Sequence, residues 1–247
     1  MPTKAYHRFL NRIAYYNTDI ELCELLVGRF FQTPHSDENL AVALGSTADI
    51  HPSLSRRVNS RNSKNICGNH LKSTLYAAFI KDLFEDFSAF ISDTMTKAAL
   101  AGIDPARFVG EIRLDLHAAD ILATGNWDAA VRLVSDAIFR KLENERNTKE
   151  LLRKASARLG LALDQNVLNG AMPYLDARHI LVHRDGRVDD LYVADYPQIQ
   201  VREGKIATNY QFVGDARRAV DALARHIDER VIAANLVRNQ DMSGRRQ

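Results

Sequence analysis

The sequence predicts an all-α fold, a helical bundle with a small β-hairpin before the last helix. Apolar residues recur at three- and four-residue steps over most of the 247 positions, which is the period of an amphipathic helix. Strands do not alternate with helices along the chain, so a parallel sheet is excluded. The hairpin is predicted where Ile199 and Val201 alternate with polar neighbours and Glu203-Gly204 supplies a turn.

The composition is that of a soluble globular protein. Apolar residues make up 46% of the chain and 33 basic side chains face 31 acidic ones, so any nucleic-acid site must be a local patch. The two cysteines provide neither a disulfide framework nor a ligand cluster, which favours a reducing cytoplasm. The chain begins without a signal peptide and contains no stretch as long as a membrane span. We therefore expect a cytoplasmic protein with no membrane partner.

The first 66 residues are predicted to form an N-terminal helical extension followed by a polar linker. Residues 1–31 show helical spacing of apolar positions, whereas residues 32–65 are rich in polar and turn-forming types. The linker contains a basic cluster, namely Arg56, Arg57, Arg61 and Lys64. A solvated linker is the preferred interpretation of this cluster, and an RNA-contacting arm is the alternative.

The longest helix is predicted to begin at a cap on Asn69 and to end near Gly102, within a helical domain over 67–237. Its apolar stripe includes Phe79, Phe87 and Phe90. Because these aromatic residues follow helical spacing, they predict a packed core and not a cofactor site.

Shorter helices are predicted over 104–118, 127–143 and 147–159. Asp104 is followed by a proline, which is the usual arrangement of a cap with proline at the first helical position. Asn126 is expected to cap the second of these helices, with Trp127 among its inward-facing residues.

The next helix, capped by Asp164, leads to the candidate site. Pro173 lies inside it and predicts a kink, because the periodic apolar positions continue beyond the proline. Gly186 is expected to end the helix in a left-handed conformation.

The chain after Gly186 changes character. An extended arm is predicted over 188–196, followed by the hairpin and a further extended segment that reaches residue 213. The final helix is predicted over 215–237, and residues 238–247 are expected to be disordered.

The stretch over 176–190, D-A-R-H-I-L-V-H-R-D-G-R-V-D-D, is the strongest candidate for a functional site. Its apolar run over 180–182 should be buried, and Arg178, His179, His183 and Arg184 surround that run. Cationic and titratable groups cost free energy to desolvate, so their position beside a buried run indicates a function. A surface helix end is the alternative interpretation.

The motifs of several common enzyme classes are missing. The sequence contains no glycine-rich dinucleotide motif after a strand, no phosphate-binding loop, no nucleophile elbow and no H-E-x-x-H. His179 and His183 are four residues apart, as a metal-binding pair would be, but no third ligand is obviously placed. We therefore predict neither a metal nor a cofactor.

Four residues separate Arg178 from His183, and the sequence R-D-G-R-V-D follows directly over 184–189. This pattern resembles the motif of the HEPN superfamily. The stretch is similar to bacterial members with the signature R-N-x-I-x-H-x-x-G-x-V-D, through Gly186, Val188 and Asp189. The order of elements is also similar to that of the superfamily: a long helix, a late helix with the motif, a short hairpin and a closing helix. The resemblance covers roughly residues 67–237 and leaves the first 66 residues unexplained.

The resemblance implies an HEPN-like helical domain and a function. Catalytic members are metal-independent endoribonucleases of toxin or phage-defence type, usually dimers with the motif at the two-fold interface. RNA, a second copy of the chain, and an antitoxin or other defence-system protein are then the expected partners. Members that continue H-x-Y are controlled by modification of the tyrosine, a control not expected here because the position is Asp185. Other members act as non-catalytic binding or dimerisation modules, which is the alternative function.

The chemistry of the residues agrees with RNA cleavage by attack of the 2′-hydroxyl. Histidine titrates near neutrality, so His183 can act as general acid or base. Arginine keeps its charge and offers a fork to phosphate oxygens, so Arg178 can stabilise the phosphorane. We expect His179, Arg184 and Arg187 to bind substrate.

Two structural alternatives remain for the same residues. Arg178 can form a surface salt bridge to Asp176 or Glu203, and His183 can cap the helix C-terminus.

The spacing of the motif raises a geometric problem, because five residue steps place Arg178 and His183 about 140° apart on a straight helix. Either the last turn loosens, or a two-fold axis brings these residues together from two protomers.

Overall fold

The computed structural model describes residues 1–143 and 148–244, and it confirms the predicted all-α bundle with a small hairpin before the last helix. The helices are α1 (Lys4–Gln32), α2 (Leu40–Ala43), α3 (Pro52–Ser55), α4 (Arg61–Leu100), α5 (Pro105–Val109), α6 (Ala118–Ala123), α7 (Trp127–Glu143), α8 (Thr148–Leu159), α9 (Gln165–His183), α10 (Asp190–Asp195) and α11 (Tyr210–Ala233). The strands are β1 (Val201–Arg202) and β2 (Lys205–Ile206), and a 3-10 turn covers Asn239–Asp241.

The 40-residue helix α4 is the centre of the bundle, because α1, α7, α9 and α11 all pack against it. Its buried residues include Tyr76, Phe79 and Leu83, so the aromatic stripe forms core as predicted. The predicted start at Asn69 is wrong. Ser60 is the cap, and its hydroxyl accepts a hydrogen bond from the Ser63 backbone amide at 3.2 Å.

Helix α1 lies antiparallel along α4. The Phe9 ring lies 6.2 Å from the Phe87 ring, and further along α1 the Tyr16 ring lies 6.0 Å from the Phe79 ring. Buried residues of both helices belong to one hydrophobic cluster. The expected boundary at residue 66 therefore falls inside α4, and the packing shows no division there.

The segment over 32–65 differs from the solvated linker predicted for it. It contains α2 and α3, and Asn59 is buried. Lys64, expected to be part of a solvated basic cluster, is 1% exposed. Its ammonium donates to the carbonyls of Thr33 and Pro34 at 2.7 and 3.0 Å, where α1 ends. A helix C-terminus offers unpaired carbonyls and a negative dipole end, which compensates for the burial of this cation.

Other departures concern element boundaries. The helix predicted over 104–118 ends at Val109, because Gly110 takes a φ of 57°. Trp127, predicted to face inward, is 76% exposed. The caps at Asp104 and Asn126 are confirmed by hydrogen bonds to the amides two and three residues ahead, of 3.0 and 2.9 Å.

The C-terminal part differs from its prediction in three places. The expected extended arm contains α10, capped by Asp189, and the last helix starts at Tyr210 on the cap Asn209. In the tail, Met242 pairs with Thr3 and the Ser243 amide donates to Pro2. Met242 and Ser243, expected to be disordered, are therefore paired with the N-terminal segment. Residues 245–247 of the predicted tail lie outside the described residues, as does residue 147, where the helix over 147–159 was predicted to begin.

The hairpin has the predicted turn. Val201 pairs with Ile206 and Arg202 with Lys205, and the two turn residues Glu203 and Gly204 have φ of 50° and 73°. Two consecutive positive φ values define the type I′ turn that suits the twist of a two-residue hairpin. Within residues 1–143 and 148–244, no helix is both long and apolar enough to cross a bilayer.

We expect Lys64→Met to lower the free energy of unfolding by about 2 kcal/mol, because it leaves the Thr33 carbonyl at the end of α1 without its donor and removes one of the two donors to the Pro34 carbonyl. Urea denaturation followed by circular dichroism measures the change. Arg56→Met, on an exposed arginine of the same segment, is the matched control and should change stability by less than about 0.5 kcal/mol. Equal stability of the two variants would contradict a structural role for Lys64.

Candidate functional site

Helix α9 positions the candidate site. Asp164 caps it by accepting from the Asn166 amide at 2.7 Å, as predicted, and the helix continues through Pro173 without a break. Its buried side packs against α4 and α11. Of the apolar run over 180–182, Ile180 is buried, whereas Val182 is 42% exposed, so the predicted burial of the whole run is wrong. The last turn of α9 projects towards solvent.

The structure brings His179 and His183 together. Both are exposed, and their ring centroids are 4.9 Å apart. This proximity follows from their spacing, because residues four apart on a helix lie one above the other. Two imidazoles therefore face solvent side by side at the end of α9.

Arg178 lies on a different side of the helix. Its guanidinium carbon is 5.0 Å from the centroid of the Phe84 ring on α4, and its Nε is buried without a hydrogen-bond partner. Arg178 makes this cation–π contact in place of the salt bridge to Asp176 or Glu203 that was the alternative interpretation. Within one protomer, Arg178 and His183 therefore lie on different sides of α9, as the helical spacing predicted.

The chain end after α9 is tied down by local charges. Asp185 and Gly186 have φ of 51° and 77°, and the Gly186 amide donates to the Ile180 carbonyl at 3.1 Å. Arg184 forms an ion pair with Asp189, and Lys205 binds Asp185 at 2.5 Å.

These pairings reduce the cationic character predicted for the site. The hydrogen bond from the backbone amide of Tyr192 holds the pKa of Asp189 below its ordinary value, and the Arg184 guanidinium lowers it further. The Lys205 ammonium and, more weakly, Arg187 do the same for the pKa of Asp185. Of the predicted substrate-binding arginines, Arg184 is thus engaged by a carboxylate and Arg187 remains exposed next to one.

Asp176 forms a cluster with Tyr192 of α10 and with Tyr196 at the C-terminal end of that helix, which was not predicted from the sequence. The Tyr196 hydroxyl donates to Asp176 Oδ2 at 2.5 Å, and the Tyr192 hydroxyl donates to the Pro173 carbonyl at 2.7 Å. The two rings are 5.0 Å apart. The signal in the sequence was Asp189 as a cap, followed by tyrosines four residues apart, which together indicate a helical turn.

Asp176 extends the histidine pair into a row. Asp176, His179 and His183 follow one another at steps of three and four residues, so they share a face of α9. Burial raises the pKa of Asp176, and the hydrogen bonds from Tyr196 and Thr148 partly oppose that rise. The electrostatic interaction with His179 also lowers the pKa of the Asp176 carboxyl.

A groove of about 410 Å³ borders the turn that follows α9. On the α4 side it is lined by His70, Ser73 and Thr74, and on the other side by Asp185, Gly186 and Lys205. Leu181 is the α9 residue that lines it, and two helical steps of about 100° place Leu181 on the opposite side of α9 from His179 and His183, so the groove is separate from the histidine pair. Across the described parts of the chain, no group of three or more His, Cys, Asp and Glu residues could hold a metal ion.

The raised pKa of Asp176 predicts a pH-dependent stability difference. A carboxyl whose pKa is raised by folding favours the native state below its unfolded value, about 4, and loses that contribution as pH rises through the folded value. We expect Asp176→Asn, which keeps an acceptor for Tyr196, to become increasingly stable relative to the wild type from pH 4 upwards. Urea denaturation at a series of pH values measures this. A difference that does not vary with pH would contradict it.

Comparison with known proteins identified no relative: no family model, no curated protein and no solved structure matches the chain. The likeness to the HEPN superfamily accordingly remains a prediction based on the residues of the motif.

Proposed function

We propose that this chain is a metal-independent endoribonuclease of toxin or phage-defence type, in which His183 acts as general acid or base. The observation that supports this best is the exposed pair of His179 and His183, with rings 4.9 Å apart. Imidazole is the side chain best suited to exchange protons near neutral pH. A pair of them at a solvent-exposed helix end is accessible to a polymer substrate.

Cleavage by the 2′-hydroxyl requires two proton movements. One proton leaves the 2′-oxygen as that oxygen attacks phosphorus, and one reaches the 5′-oxygen as the P–O bond breaks. His183 removes or delivers one of these protons. His179, on the same face, contacts the same phosphate group. The products are a 2′,3′-cyclic phosphate and a 5′-hydroxyl.

Arg178 is proposed to stabilise the charged phosphorane, with a geometric condition. Its guanidinium is on the α4 side of α9, over Phe84, and away from the face of the histidines. A site that uses both therefore combines Arg178 of one protomer with His183 of another, as a two-fold pairing at the motif permits. A homodimer, RNA, and an antitoxin or other defence-system protein remain the proposed partners.

One observation favours the alternative of a non-catalytic binding or dimerisation module. Arg178 packs on Phe84 and Arg184 is paired with Asp189, so both arginines have structural roles within the chain. In that case the end of α9 forms a surface for a partner protein, and its substitution alters association without any loss of RNA cleavage.

We expect the purified protein to cut single-stranded RNA in EDTA and to leave 2′,3′-cyclic phosphate ends, and His183→Ala to reduce the rate by about 100-fold or more. Gel analysis of end-labelled RNA measures both. His117→Ala, on an exposed histidine that makes no capping bond, is the matched control and should cut at the wild-type rate. A wild type that leaves RNA intact, or an equally active His183→Ala protein, would refute the proposed reaction.

Substitution of Arg178 separates a catalytic from a structural role. If Arg178 stabilises the phosphorane, Arg178→Lys should keep the fold and the contact with Phe84 but lose most activity, since an ammonium lacks the fork. Induced expression should then arrest growth for the wild type but not for this variant.

The structural role makes a different prediction for the same protein. Arg178→Ala and Phe84→Ala should then lower the melting temperature together, and Arg178→Lys should cut RNA at the wild-type rate. That last result would remove Arg178 from the proposed chemistry.

A further inference from the structure

Helix α1 has a second apolar stripe, on the side turned away from the core. Ile13, Ile20 and Val27 are buried on one side. The other side presents four large apolar side chains, with exposed fractions of 76% for Tyr15, 52% for Leu22, 64% for Leu25 and 58% for Leu26. At about 100° per residue, Leu22 lies roughly 160° around the helix from Ile20.

These four exposed side chains lie on one side of a single helix. Single exposed apolar side chains are ordinary on a protein surface, but contiguous patches mark interaction sites. The four residues occupy about 17 Å of one helix, at 1.5 Å per residue. The packing of α1 on α4 and α11 leaves them uncovered.

The charges beside the stripe are arranged for self-association. Two pairs of residues lie at equal distances on either side of Glu24 in the sequence. Asp19 and Arg29 are each five residues from it, and Leu22 and Leu26 are each two residues from it. Asp19 and Arg29 are exposed, and no ion pair within residues 1–143 and 148–244 includes either. Each charge lies about 7.5 Å along the axis from the level of Glu24.

We propose that a second copy of this chain packs antiparallel on the outer face of α1, with the two-fold axis level with Glu24. The symmetry brings each Leu22 to the height of Leu26 of the partner subunit. It also places each Asp19 at the height of the partner subunit's Arg29, so that the two unpaired charges of one chain are neutralised twice across the interface. An isologous contact requires this kind of self-complementary surface.

The pattern favours a second copy over other occupants. A membrane surface attracts stripes bordered by basic residues, whereas this one is bordered by Asp19 and Glu21 as well as Arg29. An unrelated protein would not require opposite charges at equal distances from a central residue. The contact is formed by α1 and leaves the exposed histidines of α9 open, so it goes beyond the proposed function and does not depend on it.

Analytical ultracentrifugation over a concentration series tests the interface. The Leu22→Glu/Leu26→Glu double variant should sediment with half the mass of the wild-type assembly and with an unchanged circular dichroism spectrum, because any contact at the end of α9 is left intact. Leu122→Glu, on an 81% exposed leucine of α6, is the matched control and should keep the wild-type mass. A monomeric wild type would overturn the proposal. So would a double variant with the same mass as the wild type, because the interface would then lie elsewhere, for example at the end of α9.

Charge reversal tests the register. Asp19→Arg and Arg29→Asp should each weaken the dimer by about 10-fold, since each breaks both symmetry-related pairs and creates like-charge contacts. The protein with both changes should recover the wild-type dissociation constant, because the pairs form again with their signs exchanged. Failure to recover would overturn this register. Binding of a monomeric wild type to anionic vesicles through the same leucines would overturn the choice of occupant.

The two proposals fail separately in these measurements. His183→Ala leaves α1 intact and should keep the α1 contact whatever its effect on RNA cleavage. An absent α1 dimer contradicts the interface alone, and absent cleavage contradicts the nuclease alone.

Discussion

The packing of α9 against α4 and α11 is the constraint on which the candidate site depends. Once one side of α9 is buried, the directions of all its remaining side chains are fixed, because successive residues are about 100° apart around the helix. Ile180 goes into the core, Arg178 meets Phe84 on α4, and His179 and His183 face solvent. The site is therefore a consequence of helix geometry once the buried side is chosen. Its two histidines need no bend or loosening of the helix to meet.

The turn after α9 decides how much charge the site keeps. Positive φ values at Asp185 and Gly186 reverse the chain, and the reversal brings carboxylates back beside the cations. Arg184 is paired with Asp189, and Asp185 with Lys205. Exposed pairs of this kind contribute little stability, but they lower the local positive potential that would attract a phosphate. The histidines thus stand out as the groups most free to act on a substrate.

Local features of the fold were predictable because the interactions that form them span only a few residues. The caps at Asp104, Asn126 and Asp164 and the Glu203-Gly204 turn need only their neighbours in sequence. The errors occurred where distant parts of the chain meet. Polar residues over 32–65 resembled a linker, although the Lys64 ammonium binds the end of α1 and the backbone of the segment pairs with itself, as Leu40 does with Arg57. Trp127 resembled a core residue, yet it is 76% exposed.

The sequence by itself determined the helical class, the hairpin, and the spacing that places His179 and His183 on one face and Arg178 on another, because helical periodicity is a local property. Tertiary structure decided which of these groups became buried. Lys64 entered the interior because α1 ends against it, and Asp176 found Tyr196 because α10 returns to α9. Burial and its electrostatic consequences depend on residues far apart along the chain, whose meeting only the folded packing determines.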